Sequence, residues 1–129
     1  VRDTAYAPYS KFYVGAALLL ENGEVVTGSN QENAAYPSGL CAERVAIYYA
    51  GARFPGVTIK TLVISCKATG IKLNQPVSPC GACRQAIAEY ETRQKEKIRI
   101  IMSGEVGPLL ASEGIENLLP LMFKGEFLK

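Results

Sequence analysis

The sequence contains no histidine, and this absence removes several kinds of active site at once. Without an imidazole there is no Ser-His pair and no histidine general base. Proteins hold zinc mostly through histidine nitrogen or cysteine sulfur, so a zinc site in this chain has to be built mainly of thiolates. The four cysteines are therefore the first residues to consider as functional groups.

Concentrated charge is also lacking, because 14 basic and 12 acidic residues leave a net charge of only +2. The basic run RQKEKIR, from Arg93 to Arg99, follows an acidic stretch and lies beyond a predicted helix. Such a run is typical of a solvated surface, whereas nucleic-acid binding requires a concentrated basic patch. We therefore expect no nucleic-acid partner.

Long apolar runs are missing as well. The run VGAALLL stops at Glu21, well short of a membrane span. No segment has the basic start and apolar middle of an export signal, so we expect a cytoplasmic protein without a membrane partner. In a reducing compartment its thiols are free or metal-bound. The 129 residues suit one compact domain, 1–129, with a core of its own.

Apolar and turn patterns predict strands that alternate with helices. Phe12–Leu20 and Val25–Ser29 are typical of a hairpin, and we expect Asn22-Gly23 to form its type I′ turn. The later order of strand, helix and strand favours a parallel crossover. Beyond the hairpin we expect a helix beginning near Cys41, a strand from Thr61 to Lys67, a helix from about Cys80 to Glu91, a strand from Ile98 to Ser103, a short strand at PLLAS and a short helix at GIENLLP. Together these elements predict a small three-layer α/β domain with a mixed sheet.

The stretch SPCGACRQ, residues 78–85, carries two thiols with two residues between them. This spacing alone fits a redox pair, half of a structural metal site or half of a catalytic one. Cys80 and Cys83 occupy the first turn of one predicted helix, and Cys41 begins the other. Helix N-termini carry partial positive charge, which favours thiolates. Two helices entering from the same end of a sheet could bring three thiolates together, and zinc with three protein ligands keeps a fourth position for water.

Three thiolates on one dication leave a net negative centre, which needs compensation. Arg44 and Arg84 lie close to ligand cysteines in sequence and are candidates for that compensation. Glu43, two residues after Cys41, lies within one helical turn of the metal and could move protons. Cys-x-Glu followed by Pro-Cys-x-x-Cys is the zinc-deaminase signature in its three-cysteine form.

On these motifs the chain resembles the small cytidine deaminases of pyrimidine salvage. The resemblance runs through AYAPYSKFYVGAAL, GSNQENAAYPSGLCAERVAI, SPCGACRQ and LLPLMF, and so spans nearly the whole chain. It implies zinc-dependent hydrolysis of cytidine and 2′-deoxycytidine to uridine and 2′-deoxyuridine, with release of ammonia. It also implies a three-layer α/β/α sandwich with a mixed five-stranded sheet, and a homotetramer whose active sites share residues between subunits.

The resemblance also implies roles for individual residues. The metal set would be Cys41, Cys80 and Cys83 as ligands of one Zn²⁺ per subunit, with Glu43 as the proton shuttle and Arg44 as a donor to ligand sulfur. The substrate set would be Asn30 and Glu32 at the ribose hydroxyls, Phe12 on the pyrimidine, the backbone around Ala42 at the base, and Tyr36 and Phe123 from adjacent subunits. A carboxylate at Glu32 suits hydroxyl groups and not phosphate, which favours a free nucleoside over a nucleotide.

Other hypotheses stay open at this point. A thioredoxin-like pair would leave the Cys41-Ala42-Glu43 motif unexplained, and a structural four-thiolate site would need Cys66, which we expect to be a buried thiol in mid-strand. A non-catalytic, zinc-stabilised binding module would dispense with Glu43. Among deaminases, the blasticidin S type shares the three-cysteine pattern, whereas a nucleic-acid-editing enzyme is disfavoured by the absence of a basic groove.

Overall fold

A computed structural model describes all residues from Val1 to Lys129. One five-stranded sheet and two α-helices form the fold, which confirms the α/β class. In chain order the elements are β1 (Phe12–Leu20), β2 (Val25–Ser29), α1 (Ala42–Arg53), β3 (Ile59–Ala68), α2 (Gly81–Thr92), β4 (Arg99–Ser103) and β5 (Leu110–Glu113). Short 3₁₀ turns lie at Arg2–Thr4, Tyr36–Ser38, Ile115–Asn117 and Gly125–Leu128. None of the helices has the length and apolar character needed to cross a membrane.

The sheet is mixed, as predicted. Its strands follow the order β2-β1-β3-β4-β5. β3 and β4 pair in parallel, and the three other neighbouring pairs are antiparallel. The parallel pair is joined through α2, so the predicted strand–helix–strand crossover is confirmed.

One face of the sheet is buried beneath both α-helices. Strand side chains alternate between the two faces, so directly paired residues share a face. Leu18 of β1 lies opposite Leu62 of β3, and both are fully buried. They belong, with Ile47 of α1 and Ile87 of α2, to one hydrophobic cluster of 19 buried residues. The helices are therefore held against the sheet by a single core, which fixes where their N-termini lie.

The opposite face of the sheet carries no α-helix. The 3₁₀ turn Arg2–Thr4 lies against part of it, where Arg2 Nη1 donates to Ser65 Oγ at 2.7 Å. Leu19 and Val63 on this face are 40% and 38% exposed. The third layer expected of the sandwich is therefore limited, in this structure, to one short turn.

The β1–β2 hairpin is confirmed, but the predicted type I′ turn is wrong. A type I′ turn needs positive φ at both central residues, and only Gly23 has it, at 87°. The Gly23 amide donates to the Leu20 carbonyl, and the Leu20 amide donates to the Glu24 carbonyl. These bonds define a type I turn followed by a left-handed glycine. Asn22 has no positive φ, and its side-chain oxygen accepts the Glu24 amide at 3.0 Å.

The C-terminal part follows the weaker predictions in outline. The strand expected at PLLAS forms two residues later, as β5. The helix expected at GIENLLP is only the 3₁₀ turn Ile115–Asn117. Pro120 follows closely and cannot continue a helix, so the segment has no length in which to propagate one.

Candidate active site

Three cysteine sulfurs meet where the two α-helices begin. Cys41 is the N-cap residue of α1, Cys80 is the N-cap residue of α2, and Cys83 lies in the first turn of α2. Their Sγ atoms all lie within 4.8 Å of one another, and those of Cys41 and Cys80 are 3.6 Å apart. The three residues predicted as a set are thus brought together, and the fourth cysteine, Cys66, is buried in β3 outside this set.

The geometry and chemistry of this thiol cluster (Cys41, Cys80 and Cys83) fit zinc. Sulfur ligands 2.3 Å from a tetrahedral zinc lie about 3.8 Å apart, close to the separations found here. A hydrogen bond from the Cys83 thiol, assisted by Arg44, lowers the pKa of Cys41 to about 5. Donating that bond raises the pKa of Cys83. The pair therefore shares one proton, which a dication would displace.

The cluster is buried on one side and open on the other. Cys83 is buried, Cys41 is half-buried and Cys80 is exposed. Three ligands with an open side are the arrangement of a catalytic zinc site, whereas a structural site is closed by a fourth ligand.

Arg44 supplies positive charge to the sulfurs, as predicted. Its Nη2 donates to Cys41 Sγ at 3.5 Å, and this bond raises the pKa of the guanidinium. Its Nε is buried without a hydrogen-bond partner. The charge of Arg44 offsets part of the negative charge that three thiolates place on a dication.

The predicted compensating role of Arg84 is wrong. Its Nε donates to the Pro79 carbonyl at 2.8 Å, its Nη1 to the Leu118 carbonyl at 2.9 Å and its Nη2 to Ser78 Oγ at 2.9 Å. The guanidinium is thus committed to oxygen acceptors and not to sulfur. Sequence proximity to Cys83 cannot reveal this, because consecutive residues of a helix point in different directions.

Glu43 lies beside the thiol cluster, in the first turn of α1, and is only 4% exposed. Burial raises the pKa of its carboxyl, although a hydrogen bond with the Cys83 thiol opposes this effect. The neighbouring Cys41 thiolate raises the pKa further by repulsion. A carboxyl tuned in this way can both accept and return protons.

A cavity of about 480 Å³ adjoins the cluster, with Cys41 and Arg44 on its wall. Glu32 lines it and receives three hydrogen bonds: the amides of Tyr9 and Ser10 donate to Oε1 at 2.9 and 3.2 Å, and the Ser10 hydroxyl donates to Oε2. The Ser10 hydroxyl is the main reason that the pKa of Glu32 lies below its ordinary value. Glu32 is therefore an ionised acceptor facing the cavity.

Asn30 also lines the cavity, but its side chain has a structural task as well. Its Oδ1 accepts the Val14 amide at 2.8 Å, and its Nδ2 donates to the Phe12 carbonyl at 2.9 Å. These bonds join the end of β2 to the start of β1. An amide group has one further donor and one further lone pair, which remain for a ligand.

The other predicted substrate contacts lie in different surroundings. Tyr36 lines the cavity of its own chain, 75% exposed, with its ring edge-on to Tyr9 at 5.7 Å. Phe12 is half-buried against the core and is not part of the cavity wall, and Ala42 is fully buried at the start of α1. Phe123 is 58% exposed, packs against Phe127 and lies outside the cavity wall.

Sequence reasoning missed Tyr9 and Ser10, which support Glu32 and line the cavity. Nothing in their local pattern indicates this, because the bonds span more than twenty residues. Their place in the segment AYAPYSKF, which carries part of the resemblance, is the only signal that could have drawn attention to them.

A mixed sheet that supports three cysteine sulfurs and a buried glutamate at two helix N-termini is the arrangement typical of the zinc-dependent deaminases. Residues 1–97 match the family model of the cytidine and deoxycytidylate deaminase zinc-binding region. The chain belongs to this family.

Similar proteins support this placement. A cytidine deaminase from Sporosarcina psychrophila is 50% identical over 92 residues, which are 69% of this chain and 61% of that relative. One from Halalkalibacterium halodurans is 38% identical over 125 residues, covering 97% of this chain and 87% of the relative. The 1.6 Å crystal structure of cytidine deaminase from Burkholderia pseudomallei has a TM-score of 0.80 and 36% identity, and the likeness covers 95% of this chain and 90% of that one.

Proposed function

We propose that this chain catalyses zinc-dependent hydrolysis of cytidine and 2′-deoxycytidine to uridine and 2′-deoxyuridine, with release of ammonia. The observation that carries the proposal is the meeting of three cysteine sulfurs with the buried carboxyl of Glu43, beside a cavity. The relatives described above are named cytidine deaminases, which supports this choice of substrate.

Glu43 would carry the protons of the reaction. Replacing the amine at C4 by oxygen consumes one water, and protons from that water have to reach ring N3 and the leaving amine. When bound to Cys41, Cys80 and Cys83, zinc supplies Lewis acidity that lowers the pKa of water. Burial keeps the pKa of Glu43 above its ordinary value. Its carboxyl can therefore accept a proton, return it to the pyrimidine and end the cycle unchanged.

Glu32 and Asn30 would bind the ribose. The cavity volume lies within the range of about 300–1,000 Å³ that is usual for small-ligand sites. An ionised carboxylate offers about four lone-pair positions, of which the loop amides and Ser10 use three. The remaining position suits a hydroxyl donor, and the negative charge disfavours phosphate, so the substrate would be a free nucleoside. Phe12 and the backbone at Ala42 would then meet the base.

We also infer a homotetramer that shares its active sites. Tyr36 and Phe123 expose 75% and 58% of their surface, which leaves both available to an adjacent subunit. Light scattering tests this assembly, and an active monomer would refute the shared roles of Tyr36 and Phe123.

Residues 1–129 would act as one deaminase domain, since 19 of their buried residues form one hydrophobic cluster. Thiols that must stay reduced to hold zinc suit the cytoplasm, where this activity would serve pyrimidine salvage.

The function is tested by following cytidine absorbance with the purified protein, a Glu43→Gln variant and a matched Glu21→Gln variant in the exposed hairpin turn. We expect turnover by the parent and the Glu21 variant. In the Glu43 variant we expect a rate about 100- to 10,000-fold lower, because the proton carrier is lost while zinc is kept. Equal rates in parent and Glu43 variant would remove Glu43 from the mechanism. One zinc held without turnover of any aminopyrimidine would favour a binding module.

A further inference from the structure

Arg84 makes hydrogen bonds to three consecutive residues, 78–80, where the chain enters α2. Its backbone amide donates to the Cys80 carbonyl at 2.9 Å, its Nε to the Pro79 carbonyl at 2.8 Å and its Nη2 to Ser78 Oγ at 2.9 Å. The amide bond is the ordinary first bond of the helix, whereas the side chain holds residues 78 and 79, which lie directly before the zinc ligand Cys80. No part of the proton-transfer mechanism uses this arrangement.

Cys80 is the ligand that most needs such support. It is exposed, whereas Cys83 is fully buried and Cys41 receives a bond from Arg44. The loop before it, 69–79, is a long connection without a helix or strand of its own. A sulfur at the end of a free loop would lose conformational entropy when it binds a metal, and a segment already held by Arg84 has lost that entropy beforehand.

The N-terminal part of α2 also holds the C-terminal segment. Arg84 Nη1 donates to the Leu118 carbonyl, and Gln85 Nε2 donates to the Phe123 carbonyl, both at 2.9 Å. Leu118 is itself packed against the core. Arg84 therefore joins the loop 69–79, which we call the ligand loop because it leads to Cys80, to the C-terminal segment 118–123.

We propose that Arg84 is a positioning residue for the zinc ligand Cys80, and that Arg84 and Gln85 together couple the ligand loop to the C-terminal segment 118–123. The inference rests on the zinc site of the proposed function but not on the identity of the substrate. Zinc binding then stabilises the C-terminal segment. Removal of the Arg84 side chain makes both the ligand loop and the C-terminal segment more mobile. Because Gln85 donates to the Phe123 carbonyl, the position of Phe123 depends on a contact made two residues after the zinc ligand Cys83.

The test is the rate at which zinc leaves the holoprotein for a coloured chelator, measured for the parent and Arg84→Ala. We expect release to become about 10- to 100-fold faster, the usual effect of removing a group that orients a metal ligand. Arg84→Lys should recover only part of the loss, since a single ammonium cannot reproduce the fixed fork of guanidinium donors that reaches three separate acceptors. Ser78→Ala, which deletes a single contact, should speed release about 2- to 10-fold, and it provides the measurement if Arg84→Ala does not fold.

Glu91→Ala is the matched control for a general loss of stability. Glu91 holds the other end of α2, where its carboxylate accepts the amides of Ile98 at 2.9 Å and Ile115 at 3.1 Å. Removing it should lower the urea midpoint of the protein and leave zinc release at the parent rate. If Arg84→Ala and Ser78→Ala release zinc at the parent rate, or if Glu91→Ala speeds release as much as Arg84→Ala does, the proposal is overturned.

Amide hydrogen exchange of 118–123 tests the coupling. Exchange should be faster in zinc-free parent than in the holoprotein, and Gln85→Ala should raise it with little effect on zinc release. Exchange that is indifferent to zinc would contradict the coupling. If the parent protein binds zinc but does not deaminate cytidine, the proposed function is contradicted, and the zinc-release and amide-exchange measurements still decide the role of Arg84. If the parent binds no zinc, the proposed function and the role of Arg84 are both overturned.

Discussion

The thiol cluster and the loop side of the cavity, around Ser10 and Glu32, are built in opposite ways. The cluster lies on two helix N-termini, with Glu43 and Cys83 buried in the first turns. On the loop side, Ser10 and Glu32 are placed by bonds between segments 22 residues apart. The first region is rigid because secondary structure and the core fix it, and the second is held mainly by a few hydrogen bonds. Changes in the first should therefore abolish the chemistry, whereas changes in the second should alter which nucleoside is accepted.

The largest effect is expected for Cys83→Ala. Loss of this sulfur removes one of three zinc ligands and also the thiol that bonds the Glu43 carboxyl. We expect zinc content, measured by atomic absorption after gel filtration, to fall from one per chain toward none. Cytidine turnover should fall at least about 1,000-fold, because a Lewis acid contributes several kcal/mol to such a reaction. A variant that keeps one zinc and its activity would show that Cys83 is not a ligand.

The contrast between the two regions also explains what the sequence reveals. The first-turn positions of Cys41, Glu43, Cys80 and Cys83 follow from local pattern, because a helix places nearby residues on one end in a fixed way. The hairpin and the crossover are equally local, and both were predictable. The turn type at Asn22-Gly23 was not, since an Asn-Gly pair is compatible with more than one turn.

The loop side of the cavity could be predicted only through resemblance, and the binding of ribose there stays a prediction. The bond from Ser10 to Glu32 joins two loops and leaves no periodic signal in either. The acceptors of Arg84 in residues 78 and 79 lie six and five positions away, and a third lies at Leu118. Contacts of this kind depend on how loops return over the fold, which hydrophobic patterning does not encode.

A smaller effect is expected for Glu32→Gln. The amide can keep the loop bonds through its oxygen, but it loses the charge and the acceptor that face the cavity. Removing a charge-assisted hydrogen bond should lower kcat/KM for cytidine about 10- to 100-fold. The measurement is a comparison with 2′,3′-dideoxycytidine, which lacks the 2′ and 3′ hydroxyls that would donate to Glu32. An equal loss on both nucleosides would place Glu32 away from the ribose.

Ser10→Ala should have a milder effect that depends on pH. The Ser10 hydroxyl is the main cause of the lowered pKa of Glu32, so its removal moves that pKa back toward the ordinary value. A depressed carboxyl pKa contributes stability that is present above the unfolded value and lost as pH falls through the folded one. As pH falls, Glu32 of the alanine variant should be protonated before that of the parent, so the variant should lose cytidine affinity at a higher pH. Near neutrality both carboxyls stay ionised, and only the loss of a positioning hydrogen bond should act, raising KM about 2- to 10-fold. KM profiles that coincide would separate Ser10 from Glu32.

The smallest effect is expected for Cys66→Ala, the variant that separates a three-sulfur site from a four-sulfur one. Cys66 is buried in β3, where burial, aided by the nearby Glu43 carboxylate, raises the pKa of its thiol to about 12. It should therefore stay a protonated, packed side chain, unreactive toward iodoacetamide in the folded protein. Truncation should cost about 1 kcal/mol in urea unfolding and change neither zinc content nor kcat/KM. Loss of zinc from this variant would make Cys66 a fourth ligand, close the open side of the cluster and turn a catalytic centre into a structural one.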